Sequence, residues 1–279
     1  MSDAALLEIE DLSVTYRTAK GPVEAVRGVS FTLGREKLGI VGESGSGKSQ
    51  TGRAILGLTD GNGTVHAKTF RFAGIDLRHA SERTMRSIRG NRISMILQDP
   101  RYSLNPVMPV GRQIAEAFLV HHRTSQRDAR QRALNMLEAV RIRDPERVYR
   151  AYPHELSGGM GQRVMIAMMM IPEPDLIIAD EPTSALDVTV SLQVLAILDR
   201  LVTERGTGLV FISHDLELVA SFCDRVLIMY AGRIVESCAA RDLAEAKHPY
   251  TRGLLNSLPK IDRPVAVLPT LDRDPSWAG

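Results

Sequence analysis

Gly42-Glu43-Ser44-Gly45-Ser46-Gly47-Lys48-Ser49 lies between the apolar run LGIV at 38–41 and the helix-like stretch TGRAILGL at 51–58. The spacing is GxxxxGK[ST], and strand, glycine loop, helix is the context in which that spacing holds phosphate. Glycines let successive backbone N–H groups curl around a polyphosphate, and the positive end of the following helix adds favourable potential. Lys48 is long enough to reach the outer phosphates, and the Ser49 hydroxyl is a ligand type suited to Mg²⁺. With Gln50, which follows directly, these residues are the candidate nucleotide-binding set. Alone, the loop would suit a kinase, a GTPase or a helicase equally well.

Outward from the loop, the pattern predicts an α/β fold. LLEIEDLSVTY at 6–16, VRGVSFTL at 26–33 and TFRFAGIDL at 69–77 read as short strands before and after it. From about 81 to 170 helical periodicity dominates, including QIAEAFLVHH and DARQRALNMLEAV, which predicts a helical insert over about 99–171. From 175 to 235 the short apolar strands DLIIAD, GLVFIS and DRVLIMY alternate with the helices SLQVLAILDRLVTE and LELVASFC. That alternation is the mark of a parallel sheet covered by helices. The end PVAVLPTLDRDPSWAG, at 264–279, is expected to be extended or irregular and to add little core.

Two further stretches carry chemistry. The apolar strand 175–179 runs into adjacent carboxylates, Asp180 and Glu181, which a purely structural strand has little reason to bring to a buried sheet end. Asp180 is expected to hold the Mg²⁺ shell through water, and Glu181 to polarise a water attacking the γ-phosphate; a charged helix cap is the plain alternative. Leu156-Ser157-Gly158-Gly159-Met160-Gly161-Gln162-Arg163 precedes the apolar helix VMIAMMMI, so Ser157 is a candidate N-cap and the glycines expose the first helical amides. Such an end can bind an anion or serve as an ordinary glycine-rich cap. Since that phosphate is hard to equate with the one at 42–49 of the same chain, a second subunit is the expected donor.

Composition narrows the function. Lys and Arg number 35 against 33 Asp and Glu, and a net charge of +2 lacks the concentrated basic excess of a nucleic-acid binder, so no nucleic-acid partner is expected. Cys223 and Cys238 have no CxxC spacing, which disfavours a zinc site or a disulfide framework. MSDAALLEIEDL at 1–12 has acidic residues where an export signal has a basic region. No apolar run approaches the roughly 20 residues that cross a bilayer. If the protein works at a membrane, another chain is expected to span it.

In their order along the chain, the loop at 42–49, LSGGM at 156–160, LIIADEP at 176–182, SALD at 184–187 and an isolated His214 after a strand resemble the nucleotide-binding subunits of ABC transporters, over about 7–235. The resemblance implies the ABC ATPase fold: a P-loop NTPase core, an N-terminal antiparallel β-subdomain and a helical insert, with residues 1–237 as the ATP-binding domain and 238–279 as an extension. It implies ATP and Mg²⁺ as ligands, with Tyr16 stacking on adenine and Gln98 contacting Mg²⁺ and the attacking water. It places His214 at the γ-phosphate, Asp187 across a dimer interface, and Ser157, Gly158, Gly159 and Gln162 against a nucleotide held by the partner subunit. Taken without the resemblance, Tyr16 could be a half-buried strand aromatic, Gln98 and Asp187 turn polar groups, and His214 structural.

QDPRYSLNPVMPVGRQIAE at 98–116 and HPYTRGLLNSLP at 248–259 resemble the peptide and nickel uptake branch of that family. Its members imply a second ATP-binding subunit, related or identical, two membrane-spanning permease subunits, a periplasmic or extracellular substrate-binding protein, and a peripheral position on the cytoplasmic face of the cell membrane. The cargo implied is oligopeptide or dipeptide, with a nickel or metal chelate as the alternative; a DNA-repair type ABC ATPase is the distant alternative for the function as a whole. No cysteine follows Cys238, so the iron–sulfur cluster of many branch members is not expected. Gly161 stands where related sequences often carry a long polar residue, which could loosen the signature turn. The methionines from 160 to 170 are expected to be core packing, His121 and His122 a solvated helix end, and Cys223 buried and inert.

Overall fold

Leu7 and Ile9, then Leu12 and Val14, are buried, and the residues between them are less so, the period of a strand with one face on a core. The one-residue change of phase falls at a bulge where Asp11 has φ 55°; the extra residue turns the second apolar pair back to the same face. This strand, β1 (Leu7–Thr18), pairs antiparallel with β2 (Gly21–Leu33), Leu7 opposite Leu33 and Thr18 opposite Gly21.

The computed structural model describes residues 5–257 together with Asp274 and Trp277. The chain forms two compact units, Met1–Ala80 with Val210–Gly279, and Ser81–Leu209. In chain order the first unit continues with β3 (Lys37–Val41), α1 (Lys48–Ile55), β4 (Gly63–His66), β5 (Thr69–Phe72) and β6 (Ile75–Asp76). The second holds α2 (Glu82–Ile88), β7 (Ile93–Ile96), α3 (Val110–Leu119), α4 (Gln126–Ala139), α5 (Pro145–Arg150), α6 (Gly158–Met170), β8 (Leu176–Asp180) and α7 (Val188–Arg205). Through β9 (Gly208–Ser213) the chain returns to the first unit, which closes with α8 (Leu216–Phe222), β10 (Arg225–Tyr230), β11 (Arg233–Ala239) and α9 (Pro249–Asn256).

Two sheet segments build the first unit. One is antiparallel, in the order β2-β1-β5-β6 with β4 also on β1; the other runs β11-β10-β3-β9. β10 and β3 are parallel, Arg225 opposite Leu38 and Ile228 opposite Val41. Leu38, Ile40 and Val41 are buried together with Val226 to Met229, the unbroken apolar pattern of parallel strands covered on both faces. Gly39 is where α8 lies closest: a Cβ there would sit 2.1 Å from Val219 Cγ1 and 3.2 Å from Cys223 Sγ.

The stretch after Ser237 adds more to the core than its sequence suggests. Ala240, Leu243, Tyr250 and Thr251 are all buried. Of the proline-rich end at 264–279 only Asp274 and Trp277 fall among the described residues, and the Trp277 ring lies 6.2 Å from that of Tyr250.

In the second unit β7 and β8 run parallel, Ile93 opposite Leu176 and Ile96 opposite Ala179. Arg92 fixes the start of that register: its Nε donates to Asp175 Oδ2 at 2.8 Å while its carbonyl accepts from Asp175 N at 2.9 Å. Gly111 of α3 lies against α5, since a Cβ would meet Tyr149 Cδ2 at 2.1 Å. The methionine-rich α6 is core packing as expected, with Met165 and Met170 fully buried. The solvated helix end expected at His121 and His122 is not observed. Both are half-buried, His122 stacks on Phe118 with centroids 4.1 Å apart, and burial, then the neighbouring His122, holds the His121 pKa below its ordinary value. Among the described residues no helix is long and apolar enough to cross a membrane.

Gly39→Ala is expected to destabilise the first unit by about 1–3 kcal/mol through overpacking against Val219, read by chemical denaturation; a stability equal to that of the parent would contradict the contact. Burial pushes the Cys223 thiol up to about 12, so almost no thiolate exists at pH 8. Iodoacetamide should therefore spare Cys223 in the folded protein and modify it in denaturant, as peptide mass mapping would reveal.

Candidate functional site

The loop after β3 is shaped by what its glycines lack. A Cβ on Gly42 would lie 2.1 Å from the Met229 carbonyl oxygen and 2.8 Å from Ser46 Oγ. At Gly47, with φ 100°, it would lie 2.4 Å from the Ala25 oxygen. No side chain fits either place, and positive φ suits glycine. Drawn in this way, the loop delivers Lys48 into α1 at 7% exposure, and its Nζ donates to Gly42 O at 2.7 Å and Glu43 O at 2.8 Å. Those carbonyls hold a buried ammonium that would otherwise be costly to desolvate.

Ser46 Oγ is buried and has no hydrogen-bond partner among the described residues. Ser44 and Gly45 form the exposed tip, Gly45 with φ 83°. Ser49 and Gln50, both half-buried, follow in the first turn of α1. Tyr16 of β1 reaches this helix, its hydroxyl donating to Gln50 Oε1 in a short bond. Its ring passes over Gly63, where a Cβ would come within 2.8 Å of Tyr16 Cε1. Burial, followed by the charge of Asp60, raises the Tyr16 pKa and keeps the phenol neutral. His214, exposed, is the first residue beyond β9, and β9 is the neighbour of β3. Asp215 beside it caps α8 by accepting from Leu218 N at 2.9 Å. The first unit thus gathers Tyr16, residues 42–50 and His214.

The second unit gathers the rest. Because Ile96 and Ala179 are paired in parallel, Gln98 and Glu181 each lie two residues beyond a matched pair and leave the same end of β7 and β8. Gln98 is exposed, and Asp99 after it turns the chain by accepting from Arg101 N at 2.9 Å. Asp180 ends β8 at 8% exposure. Glu181 has φ 51°, an uncommon region for a residue with a side chain. Backbone held there marks a position that the surrounding structure constrains, and such positions cluster at functional sites.

Ser157 caps α6, its side chain accepting from Met160 N. Gly159 lies against the start of α7, since a Cβ would meet Val190 Cγ1 at 2.5 Å. Gly161 leaves the signature turn intact, its N–H donating to Ser157 O at 2.8 Å. Ser157 and Gly158 are exposed and Gly159 half-buried. Gln162 stands apart at 1% exposure, its Nε2 without a partner among the described residues. Asp187 is exposed and caps α7, accepting from Val190 N at 3.0 Å.

Two features escaped the sequence reading. Glu181 gives no local sign of its positive φ. Glu43 N donates to the Tyr250 hydroxyl at 3.1 Å, across 207 residues; only His248-Pro249, a cap followed by proline, announces a helix there. Among the described residues no group of three or more His, Cys, Asp or Glu forms a metal cage. Mg²⁺ bound with a nucleotide asks for less, since one or two protein oxygens join phosphate oxygens and water; the Ser49 hydroxyl and a carboxylate such as Asp180 are donors of that kind.

A profile of the ABC transporter family matches residues 26–184. The oligopeptide transport ATP-binding protein OppD of Salmonella typhimurium is 47% identical over 272 residues, covering 97% of this chain and 81% of that protein. A probable peptide ABC transporter ATP-binding protein of Sinorhizobium fredii, y4tR, is 52% identical over 258 residues, covering 91% and 77%. Among solved structures, a dimeric post-hydrolysis state of the ATP-binding cassette MJ0796 bound to ADP and Pi aligns with a TM-score of 0.74 at 25% identity, covering 84% of this chain and 99% of that one.

Asp187→Ala is expected to lower stability by about 1 kcal/mol through loss of the α7 cap, whereas Asp187→Asn, an equally good cap, should leave it unchanged. Urea denaturation of the two variants checks this, and equal midpoints for both would remove the capping role.

Proposed function

The chain belongs to the ABC transporter family and hydrolyses ATP; from that premise we propose that the hydrolysis powers import of oligopeptides or dipeptides through membrane-spanning partner subunits. The observation that carries the reading is the reach of the likeness. Identity of 47% to a peptide-transport ATPase extends over 97% of the chain, well beyond the 26–184 shared with the family at large, and so takes in the stretch 248–256 whose Tyr250 touches the phosphate loop. The relatives described above carry peptide, and not nickel, in their names.

In this reading the residues 42–49 hold the phosphates of ATP, with loop amides and Lys48 taking up charge that develops at the γ-phosphate. Tyr16 supports the adenine. Mg²⁺ bound with the nucleotide supplies charge neutralisation on the outer phosphates, and Ser49, Asp180 and Gln98 are its candidate holders. Glu181 orients and polarises the attacking water, and His214 contacts the γ-phosphate. Ser157, Gly158 and Gly159 present the N-terminus of α6 to a nucleotide held by a second ATP-binding subunit, so that closure of the pair depends on ATP. Gln162, enclosed in its own unit, acts from behind by packing. Two permease subunits and a substrate-binding protein outside the membrane complete the importer, with this chain peripheral on the cytoplasmic face.

Glu181→Gln should keep ATP binding while lowering hydrolysis by about 10²–10⁴-fold in the purified complex, and uptake of a labelled tripeptide into vesicles should stop with it. Undiminished turnover would sink the assignment of Glu181; ATP-dependent uptake of a nickel chelate in place of peptide would sink the cargo.

A further inference from the structure

The Gly42–Glu43 peptide is gripped from opposite sides. In a trans peptide the C=O and N–H point in opposite directions. Here the Gly42 oxygen accepts from Lys48 Nζ at 2.7 Å, and the Glu43 N–H donates to the Tyr250 hydroxyl at 3.1 Å. We propose that Tyr250, from the stretch beyond the ATP-binding domain, is a positioning residue for the phosphate loop, setting the Gly42–Glu43 peptide plane and through it the place of the Lys48 ammonium. The inference rests on the reading of residues 42–49 as the ATP site.

Tyr250 is built to hold still. It is fully buried, and its ring packs on Tyr230 with centroids 4.5 Å apart and planes inclined by 46°. The helix that carries it is fixed at its first turn. His248 Nδ1 accepts from Tyr250 N at 3.2 Å, Pro249 presets the backbone, and Glu236 Oε1 accepts from Lys247 N at 2.7 Å. Glu236 belongs to β11, paired with the β10 that carries Tyr230 and Met229. The Met229 carbonyl is the group that Gly42 abuts. Strand, tail helix and loop therefore bear on one peptide unit, and a packed aromatic with few rotamers transmits position better than a flexible side chain would.

Removing the hydroxyl takes this acceptor away from the Glu43 N–H while leaving the ring in its socket. The prediction is a loss of nucleotide affinity without loss of fold. Coupling between tail and loop is also reciprocal, so MgATP must strengthen the docking of 249–256 by as much as that docking strengthens MgATP binding.

The test is calorimetric titration of MgATP into the full chain, alongside its Tyr250→Phe and Tyr250→Ala variants, with melting temperatures and hydrogen exchange of the peptide covering 249–256. Tyr250→Phe should weaken MgATP binding about 3- to 10-fold, the worth of one hydrogen bond, with a melting temperature near that of the parent. MgATP should slow exchange at 249–256 in the parent and not in Tyr250→Phe. Parent-like affinity and parent-like protection in Tyr250→Phe would overturn the proposal, as would a melting temperature lowered as far as in Tyr250→Ala, which would make the hydroxyl structural. Failure of the parent itself to bind MgATP would overturn the ATP-site reading first.

Discussion

At Gly42 and Gly47 the phosphate loop meets other backbone at distances where no side chain could intervene, the Met229 carbonyl on one side and the Ala25 carbonyl on the other. These two contacts decide what the rest of the first unit can be. They require β10 beside β3, as the parallel pairing of Ile228 with Val41 provides, and they require β2 to pass beneath the start of α1. In the loop held this way, Lys48 reaches back to the Gly42 and Glu43 carbonyls, and Ser46 is enclosed, its hydroxyl without a partner among the described residues. Packing at crystalline density makes such a cradle rigid, and a rigid set of donors stabilises developing charge without rearranging during the reaction.

The second unit reaches a comparable result by strain. β8 is buried along its whole length, and Asp180 at its end is only 8% exposed. Continued extension would simply send the next residue to the opposite face. Instead Glu181 turns at φ 51°, and the chain leaves the strand at once into Pro182 and the turn that ends in the α7 cap. Two neighbouring carboxylates thereby come to occupy different surroundings, Asp180 buried and Glu181 half-buried. The energetic penalty of such backbone is on the order of 1–3 kcal/mol, sustained by the packing around it.

The sequence made the α/β class legible because glycine loops, apolar strands and capped helices are local signals: 42–49, 176–180 and Ser157 each announce themselves within a few residues. Expectations failed where the packing around a residue, near or far along the chain, decided its place. His121 and His122 sit in a basic run, and only the neighbouring turn of α3 reveals that His122 stacks on Phe118. Gln162, which the resemblance sets against a partner's nucleotide, is turned inward by helical rotation to 1% exposure. No local pattern points to the contact of Tyr250, because the Glu43 N–H it accepts from lies 207 residues away. Positive φ at Glu181 is likewise imposed by tertiary structure on a residue that does not favour it.

Trp277 is the only tryptophan in the chain, and its ring stands within 6.4 Å of Tyr230, Tyr250 and His248. Indole emission responds to the polarity and rigidity of its immediate surroundings. The protein consequently carries its own optical reporter, in contact with the tyrosine that touches the phosphate loop, and the state of that loop can be followed in the unlabelled chain by excitation of a single residue.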